Sequence, residues 1–250
     1  MSSRTYHLGI ARGEIPERVL LPGDPQRAAR IAEEFLDEHT PIAQRREYWS
    51  YRGTYRGVSV GVCSTGIGCP SAAIALEELI ELGCRTFIRV GTAGAVDPSL
   101  ERGDLAIFTA SVRGDGTSRQ YVPVEYPAVA DYDVVRALVG AARARGVRYK
   151  VGIGHTKDSF YSEIPDKTTS PEAAREYWRS LQRANVLATE MESAVLFVLG
   201  QIRGVRTGCI CEIIGEPVEK EARLDTGPSL RDLIPVSLEA ITSPDSSSSD

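Results

Sequence analysis

The chain has 250 residues, a length that suits one large α/β domain or two small ones. Apolar residues make up 42% of it and charged residues 25%, proportions that argue against a disordered or fibrous protein. The 34 acidic residues outnumber the 29 basic ones, so the formal charge of −5 argues against broad nucleic-acid binding, although a few arginines can still hold a small anion.

Glycine and proline divide the chain into short apolar runs and longer stretches of helical periodicity. In chain order these predict strand 18–21, helix 25–36, strands 48–55 and 58–64, helix 71–82, strands 86–90 and 105–112, helix 131–145, strand 150–155, helices 171–181 and 190–199, strand 207–214 and helix 229–241. Strands that alternate with helices predict an α/β fold with a mainly parallel or mixed sheet covered on both faces. We expect one domain over residues 1–242 and a disordered, serine-rich tail over residues 243–250.

The chain carries no signal for a membrane span or for secretion. No apolar run approaches the roughly 20 residues that cross a bilayer, and the start MSSRTYHLGI lacks the apolar segment of a signal peptide. A cytoplasmic protein without a membrane partner is therefore expected. The five cysteines lack metal-site spacing, so we interpret them as reduced thiols and expect no metal. Cys209 and Cys211 alternate along a predicted strand, and a bridge between them is an alternative.

The segment PGDPQR at residues 22–27 lies where the first predicted strand leads into the first predicted helix. Backbone N–H groups at such a helix start attract phosphate, and Gly23 permits close approach. Arg27, one turn into the helix, adds a charged fork. A plain turn in which Asp24 caps the helix explains the same residues equally well.

Arg89 lies inside an otherwise apolar strand, just before Gly91-Thr92-Ala93-Gly94. A buried guanidinium requires an anionic partner. That partner is either a bound anion or a buried carboxylate of the protein itself. Arg89 is therefore the most informative single residue of the sequence, with both alternatives open.

Two further segments have a structural and a functional interpretation. The segment STGIGCPS at 64–71 superficially matches a dinucleotide-binding loop, but Ser71 replaces the third glycine, so a tight strand-to-helix turn is favoured. Thr189 and Glu192 have the spacing of a capping box, which predicts that Glu192 returns a hydrogen bond to the helix start. A carboxylate there can equally bind the two neighbouring hydroxyls of a ribose.

Eight motifs in this order give the chain a family resemblance. They are HLG at 7–9, PGDPQR at 22–27, REY at 46–48, CSTGIGCPS at 63–71, RVGTAGA at 89–95, DGTSRQY at 115–121, KDSFY at 157–161 and TEMES at 189–193. Together they resemble the nucleoside phosphorylase family, which includes uridine phosphorylase and the bacterial hexameric purine nucleoside phosphorylases. The resemblance implies a single α/β domain whose central mixed sheet is partly barrel-like and flanked by helices on both faces.

The resemblance also implies a reaction. In this family phosphate attacks the anomeric carbon of a nucleoside and releases the free base and a (deoxy)ribose 1-phosphate. Inorganic phosphate is a co-substrate and no cofactor is expected. The expected partners are the nucleoside, phosphate and other copies of the chain, as a trimer of dimers whose sites are shared across the dimer interface.

Site residues follow from the resemblance, motif by motif. The implied phosphate ligands are Gly23, Arg27, Arg46, Arg89 and Thr92. The implied ribose contacts are His7, Met191 and Glu192, with His7 and Arg46 supplied by a neighbouring subunit. The implied base contacts are Phe160, Ile214 and Glu216. The residues expected to act directly in catalysis are Arg89, Glu192 and Glu216.

Base recognition is where the chain departs from the family pattern. Uridine phosphorylases place a glutamine and an arginine soon after the FY pair, whereas this chain continues with SEIPDK at 162–167. Glu216 is either a purine contact and acid or an exposed side chain, so the identity of the base stays open. A nucleosidase that uses water, a non-catalytic nucleoside binder and, more distantly, a nicotinamide-dependent oxidoreductase are the alternatives.

Overall fold

A computed structural model of the chain describes residues 4–215 and 228–243. The elements of these ranges are, in chain order, β1 (Arg18–Leu21), α1 (Pro25–Phe35), β2 (Asp37–Arg45), β3 (Tyr48–Tyr55), β4 (Val58–Cys63), α2 (Cys69–Leu82), β5 (Thr86–Ala95), β6 (Leu105–Gly114), α3 (Ser118–Tyr121), β7 (Ala128–Val129), α4 (Tyr132–Arg145), β8 (Tyr149–Lys157), α5 (Pro171–Arg183), β9 (Ala188–Glu190), α6 (Ser193–Arg203), β10 (Arg206–Gly215) and α7 (Leu233–Thr242). Glu216 and the tail from residue 244 onward lie outside the described residues. Among the helices above, none combines the length and apolar character needed to cross a membrane.

The strands form one mixed sheet, part of which closes on itself. β5 pairs with β10, β10 with β6, β6 with β8, β8 with β9, and β9 again with β5. Closure is possible because β5 is long: its first half pairs with β1 and its last residues, Gly94 and Ala95, pair with β9. From β1 the sheet continues through β4 and β3 to β2. The predicted mixed sheet with a barrel-like part is confirmed.

Helices cover both faces of this sheet. Alternate residues of a strand point to opposite faces. Leu20 of β1 packs into an apolar cluster with α1, α4 and α7, whereas Val19 and Leu21 pack into another with α2 and α6. Helix α6 is buried along its first eight residues, from Ser193 to Gly200, because the segment SAVLFVLG has no charged side chain. The α/β class with helices on both faces is confirmed.

The elements that differ from the predicted ones have local physical reasons. Edge strand β2 was not predicted because DEHTPIAQR is polar and contains a proline, and its side chains are mostly exposed in the structure. Strand β9 is only three residues long. Strand β5 runs five residues past its predicted end at Val90, since paired strands on both sides hold the glycine-rich segment extended.

The parallel strands β4, β1, β5 and β10 place their carboxyl ends at one edge of the sheet. Crevices at such an edge are where α/β proteins bind ligands. PGDPQR follows β1, STGIG follows β4, the segment at 91–94 ends β5, and Ile214 and Gly215 end β10. The topology thereby gathers four segments that are far apart in sequence.

Cys209 and Cys211 face the same side of β10, as their alternation predicts. Their Sγ atoms lie 3.7 Å apart, and both residues are free, buried thiols. Burial raises the pKa of Cys209 well above its ordinary value. The predicted reduced state therefore describes this pair, and the alternative of a bridge does not.

Candidate active site

A cavity of about 640 Å³ opens at the carboxyl edge of the parallel strands. It is lined by eight of the residues that the sequence places in a site: Gly23, Arg27, Arg89, Thr92, Phe160, Met191, Glu192 and Ile214. It is also lined by residues that the sequence analysis did not assign, among them Glu47, Lys157, Glu163, Thr189 and Glu190. These side chains come from α1, β5, β8, β9 and β10, from the loops that follow β1, β8 and β9, and from the turn between β2 and β3.

Arg27 brings a half-buried cation to the cavity from the first turn of α1. Asp24 caps this helix by accepting a hydrogen bond from the Gln26 backbone N–H at 2.9 Å, so the capping interpretation is confirmed alongside the cavity position. Arg27 Nη1 donates to the Val90 carbonyl at 3.3 Å. No carboxylate of the described residues forms an ion pair with it. Burial, and then the like charge of Arg89, lower the pKa of Arg27.

Arg89 is buried and neutralised by two carboxylates. Its Nε lies 2.7 Å from Glu190 Oε2 and its Nη2 lies 2.5 Å from Glu192 Oε2. Burial alone lowers the pKa of Arg89, but the two carboxylates outweigh it and hold the pKa well above the ordinary value. The alternative of protein carboxylates as partners is therefore confirmed, and, because Arg89 also lines the cavity, a bound anion as a further partner stays a prediction.

Gly91 lets the Arg89 guanidinium lie against the backbone. A Cβ on Gly91 would come 2.8 Å from Arg89 Nη2 and 2.9 Å from the Cys211 sulfur. A Cβ on Gly23 would lie 4.0 Å from Arg89 Nη1. The space that a side chain at position 91 would fill is thus taken by the guanidinium, which places its Nη1 beside the PGDPQR turn.

Glu190 is a helix cap as well as an ion-pair partner. Its carboxylate accepts hydrogen bonds from the backbone N–H groups of Glu192 and Ser193 and from the hydroxyls of Thr156 and Ser193, at 2.6 to 3.0 Å. Burial opposes its ionisation, but Arg89 and these hydrogen bonds outweigh burial and lower the pKa of Glu190. The capping-box prediction for Glu192 is wrong, because α6 begins three residues later than predicted and Glu190 caps it.

Glu192 turns its carboxylate toward the loop after β4. Its Oε1 accepts a hydrogen bond from the Gly68 backbone N–H at 2.5 Å, while Oε2 contacts Arg89. Burial raises the pKa of Glu192, which Arg89 only partly offsets and which neighbouring Glu190 reinforces. Two fixed partners hold this carboxylate at the cavity wall, the position in which it can bind a polyhydroxylated ligand.

Apolar side chains and an ion pair also line the cavity. Phe160 and Ile214 are among the lining residues, and Phe160 is 39% exposed. Lys157, at the end of β8, is buried and pairs with the Glu163 carboxylate. Sequence reasoning missed this pair, although a lysine that ends a strand beside the FY motif was a signal of the same kind as Arg89.

His7 and Arg46 do not line the cavity of their own chain. His7 Nδ1 lies 2.7 Å from Glu78 Oε1, and about a third of the His7 side chain is exposed. Arg46 is exposed in the turn between β2 and β3, with φ at 53°. Its neighbour Glu47 does line the cavity. The assignment of both residues to a neighbouring subunit's site stays a prediction.

The chain is similar to known proteins over most of its length. A family model described as the phosphorylase superfamily matches residues 17–229. A uridine phosphorylase of Thermococcus kodakarensis is 48% identical, over 86% of this chain and 79% of the relative. A guanosine phosphorylase of Halorubrum lacusprofundi is 43% identical, over 85% of this chain and 83% of the relative. A uridine phosphorylase of Escherichia coli is 40% identical, over 88% of each chain.

Proposed function

Because the chain belongs to the phosphorylase superfamily, we propose that it is a pentosyltransferase that cleaves the N-glycosidic bond of a nucleoside with inorganic phosphate. The products are the free base and a (deoxy)ribose 1-phosphate. Relatives named uridine phosphorylase and guanosine phosphorylase support the reaction and leave pyrimidine and purine substrates both in view. Phosphate is a co-substrate, and the proposal requires no cofactor.

The observation that carries the proposal is the position of Arg27. A half-buried guanidinium that lines a cavity and has no carboxylate partner in the described residues favours an anion beside it. Arg27 and Arg89 supply planar forks that match an oxyanion. Gly23 and Thr92 line the same cavity, and we propose that they complete the phosphate site on this chain.

Glu192 is the group proposed to serve the sugar. Cleavage of the glycosidic bond builds positive charge on the ribose ring, which a phosphate dianion on one side and a fixed carboxylate on the other stabilise. The Glu192 carboxylate is held by Gly68 and Arg89 and needs no reorientation. Met191 lies next to it in the cavity wall. Arg89 thus contacts the sugar-binding carboxylate while it serves the phosphate.

The remaining assignments follow the family pattern. Phe160 and Ile214 form the apolar walls of the base site, and Glu216 stays a candidate base contact. A neighbouring subunit supplies Arg46 to the phosphate and His7 to the ribose, in a homo-oligomer that we propose to be a trimer of dimers. Nucleoside salvage in the cytoplasm is the role that fits such an activity.

The test is base release from uridine, thymidine, inosine, guanosine, adenosine and methylthioadenosine, each with and without phosphate. We expect release only with phosphate, together with a sugar 1-phosphate. Release without phosphate would instead indicate a nucleosidase, and binding without any release would indicate a non-catalytic nucleoside binder. A nucleosidase has no evident use for the position of Arg27.

A further inference from the structure

We infer that His155 is a positioning residue of the active site, which holds the Thr189 hydroxyl in the orientation that contacts the Lys157 ammonium at the cavity wall. The inference rests on the proposed function and deepens it by adding a residue that acts through another. Thr189 and Lys157 line the cavity, and His155 is not among the described residues that do. His155 belongs to none of the eight motifs, so the family resemblance gives it no role.

The His155 imidazole lies between two hydroxyl groups. Its Nδ1 lies 2.9 Å from Thr189 Oγ1, and its Nε2 lies 2.9 Å from the Tyr177 hydroxyl. His155 is 1% exposed, whereas Tyr177, on α5, is 45% exposed. One ring nitrogen therefore contacts a residue of the cavity wall, and the other contacts a residue of the protein surface.

The position of the ring is fixed by its neighbours on α5 and β6. The imidazole packs edge-on against the rings of Tyr177 and Trp178, with centroids 5.8 and 5.4 Å away. A Cβ on Gly114 would come 2.7 Å from His155 Nε2, so the imidazole occupies the space that a side chain at position 114 would fill. Burial, and then the charge of Lys157, lower the pKa of His155 to about 4. The ring is therefore neutral at pH 7 and closely packed.

The ring decides which way the Thr189 side chain is turned. The backbone of Thr189 is held by strand pairing with Gly94 and with His155, so rotation about χ1 is the freedom that remains. Thr189 Cγ2 lies 3.6 Å from the position of a Cβ on Gly94, and Thr189 Oγ1 lies between His155 Nδ1 and Lys157 Nζ. A threonine has few χ1 rotamers, and its hydroxyl selects among them by its hydrogen bonds. The contact with His155 thus favours the rotamer that Lys157 needs.

The Thr189 hydroxyl is one of two groups that hold the Lys157 ammonium. Lys157 Nζ donates to Thr189 Oγ1 at 3.3 Å and pairs with the Glu163 carboxylate. The same Nζ lies 5.8 Å from the centre of the Phe160 ring, which we propose to be part of the base site. A lysine carries its charge on a flexible stem. Loss of one partner would displace this charge relative to a bound nucleoside, and catalysis is sensitive to small displacements.

The experiment separates the inner ring nitrogen from the outer one. His155→Asn keeps a polar atom near the position of Nδ1 and loses the one at Nε2, whereas His155→Gln does the reverse. Thr189→Val removes the inner hydroxyl at nearly constant shape. Tyr177→Phe removes only the outer hydroxyl and is the matched control. The substrate is the nucleoside cleaved fastest in the test above, with nucleoside and phosphate varied in turn and the melting temperature measured alongside.

The expected losses follow the inner contact. His155→Gln should lower kcat/KM for the nucleoside by about 10-fold, the effect of one hydrogen bond, and Thr189→Val by at least as much. His155→Asn should stay within about 3-fold of the unsubstituted protein, because its amide still reaches Thr189. The double variant His155→Gln/Thr189→Val should be no worse than Thr189→Val alone, since both changes break the same contact.

Two further quantities should not follow that pattern. Tyr177→Phe should leave kcat/KM unchanged and lower the melting temperature by a few degrees, because it removes only the outer hydrogen bond. The KM for phosphate should be the same in every variant, since the contacts of Arg27 and Arg89 described above involve neither His155 nor Thr189.

A purely structural histidine would give a different result. His155→Asn and His155→Gln would then lower the melting temperature while their kcat/KM values for the nucleoside stayed equal, and the inference would be overturned. A KM for phosphate that rises together with that for the nucleoside would overturn it too, since the whole cavity would have loosened. If His155→Gln fails to fold, Thr189→Val against Tyr177→Phe gives the same readout. These outcomes leave the proposed function intact, whereas failure of the unsubstituted protein to cleave any nucleoside with phosphate would refute both.

Discussion

Replacing Arg27 with methionine should weaken the use of phosphate without destabilising the fold. Arg27 makes one backbone hydrogen bond at 3.3 Å, and its pKa is lowered by burial and by the charge of Arg89. The charged form of Arg27 is therefore less favourable in the folded protein than in water, which lowers the stability of the fold. Residues kept for binding at the expense of stability are commonly replaced with no loss of stability. We expect the melting temperature of Arg27→Met to stay the same or rise by a few degrees.

The expected loss of function follows from the contact that Arg27 would make. A hydrogen bond between a guanidinium and an oxyanion contributes about 1.5–3 kcal/mol, or about 10- to 150-fold. The kcat/KM for phosphate should fall by that factor when phosphate is varied at saturating nucleoside. Arg89→Met should behave differently, because it leaves two buried carboxylates unpaired and costs about 3–5 kcal/mol of stability.

Arg30→Met is the matched control for Arg27→Met. Arg30 lies three residues farther along α1, forms an exposed ion pair with Glu34 and does not line the cavity. It should change neither phosphate kinetics nor the melting temperature appreciably, since exposed pairs of this spacing contribute about 0.3–0.5 kcal/mol. An Arg27→Met protein that melts many degrees lower and keeps its phosphate kinetics would show that Arg27 is structural, and the reasoning above would fail.

Three further predictions concern other parts of the site. Gly91→Ala should lower kcat/KM by about 10-fold or more, because its Cβ would come 2.8 Å from Arg89 Nη2 and displace the guanidinium. Unchanged kinetics would show that the position of the Arg89 guanidinium does not depend on a glycine at position 91. Mixing the impaired Arg27→Met and Arg46→Met chains under conditions that exchange subunits should raise activity above that of either variant alone, because in a mixed dimer one site carries both substitutions and the other carries neither. No gain despite demonstrated exchange would argue against a shared site. Burial lowers the pKa of His155 to about 4. Between about pH 6.5 and 4 the unfolded chain therefore binds a proton at this imidazole that the folded protein does not bind. Stability should therefore fall by about 3 kcal/mol as pH drops through that window. His155→Gln should reduce this loss in urea unfolding, and an identical pH profile would contradict the buried, neutral ring.

Periodicity and punctuation predicted most of the fold because most elements bury one face. Strand 18–21 and the helix that Asp24 caps are found as predicted, since an apolar run, a capping residue and a proline act locally. Strand β2 could not be predicted from periodicity, because its side chains are polar and mostly exposed. Its extended conformation is held by backbone pairing with β3. The closure of the barrel was equally out of reach of periodicity, because it depends on β5 having partners on both sides.

The residues of the site that belong to a sequence motif could be predicted. The ion pairs between residues of different segments could not. Gly23, Arg27 and Glu192 were named from motifs and line the cavity. Lys157 could be singled out because it ends a strand beside the FY motif, but Glu163 could not be predicted as its partner, because a 3₁₀ turn at Tyr161–Glu163 brings this acid back to the strand end. The two partners of Arg89 were likewise unpredictable from the linear pattern, although a carboxylate partner as such was anticipated.

The cap that Glu190 places on α6 links the site to the most deeply buried helix of the described structure. The same carboxylate pairs with Arg89, so displacement of that guanidinium would leave the carboxylate that caps α6 buried without its counter-charge. Amide protons of that turn should exchange with solvent only through global opening, in contrast to those of exposed loops. Denaturant should accordingly abolish ligand binding and tertiary structure at the same concentration, with no partly folded, inactive species in between.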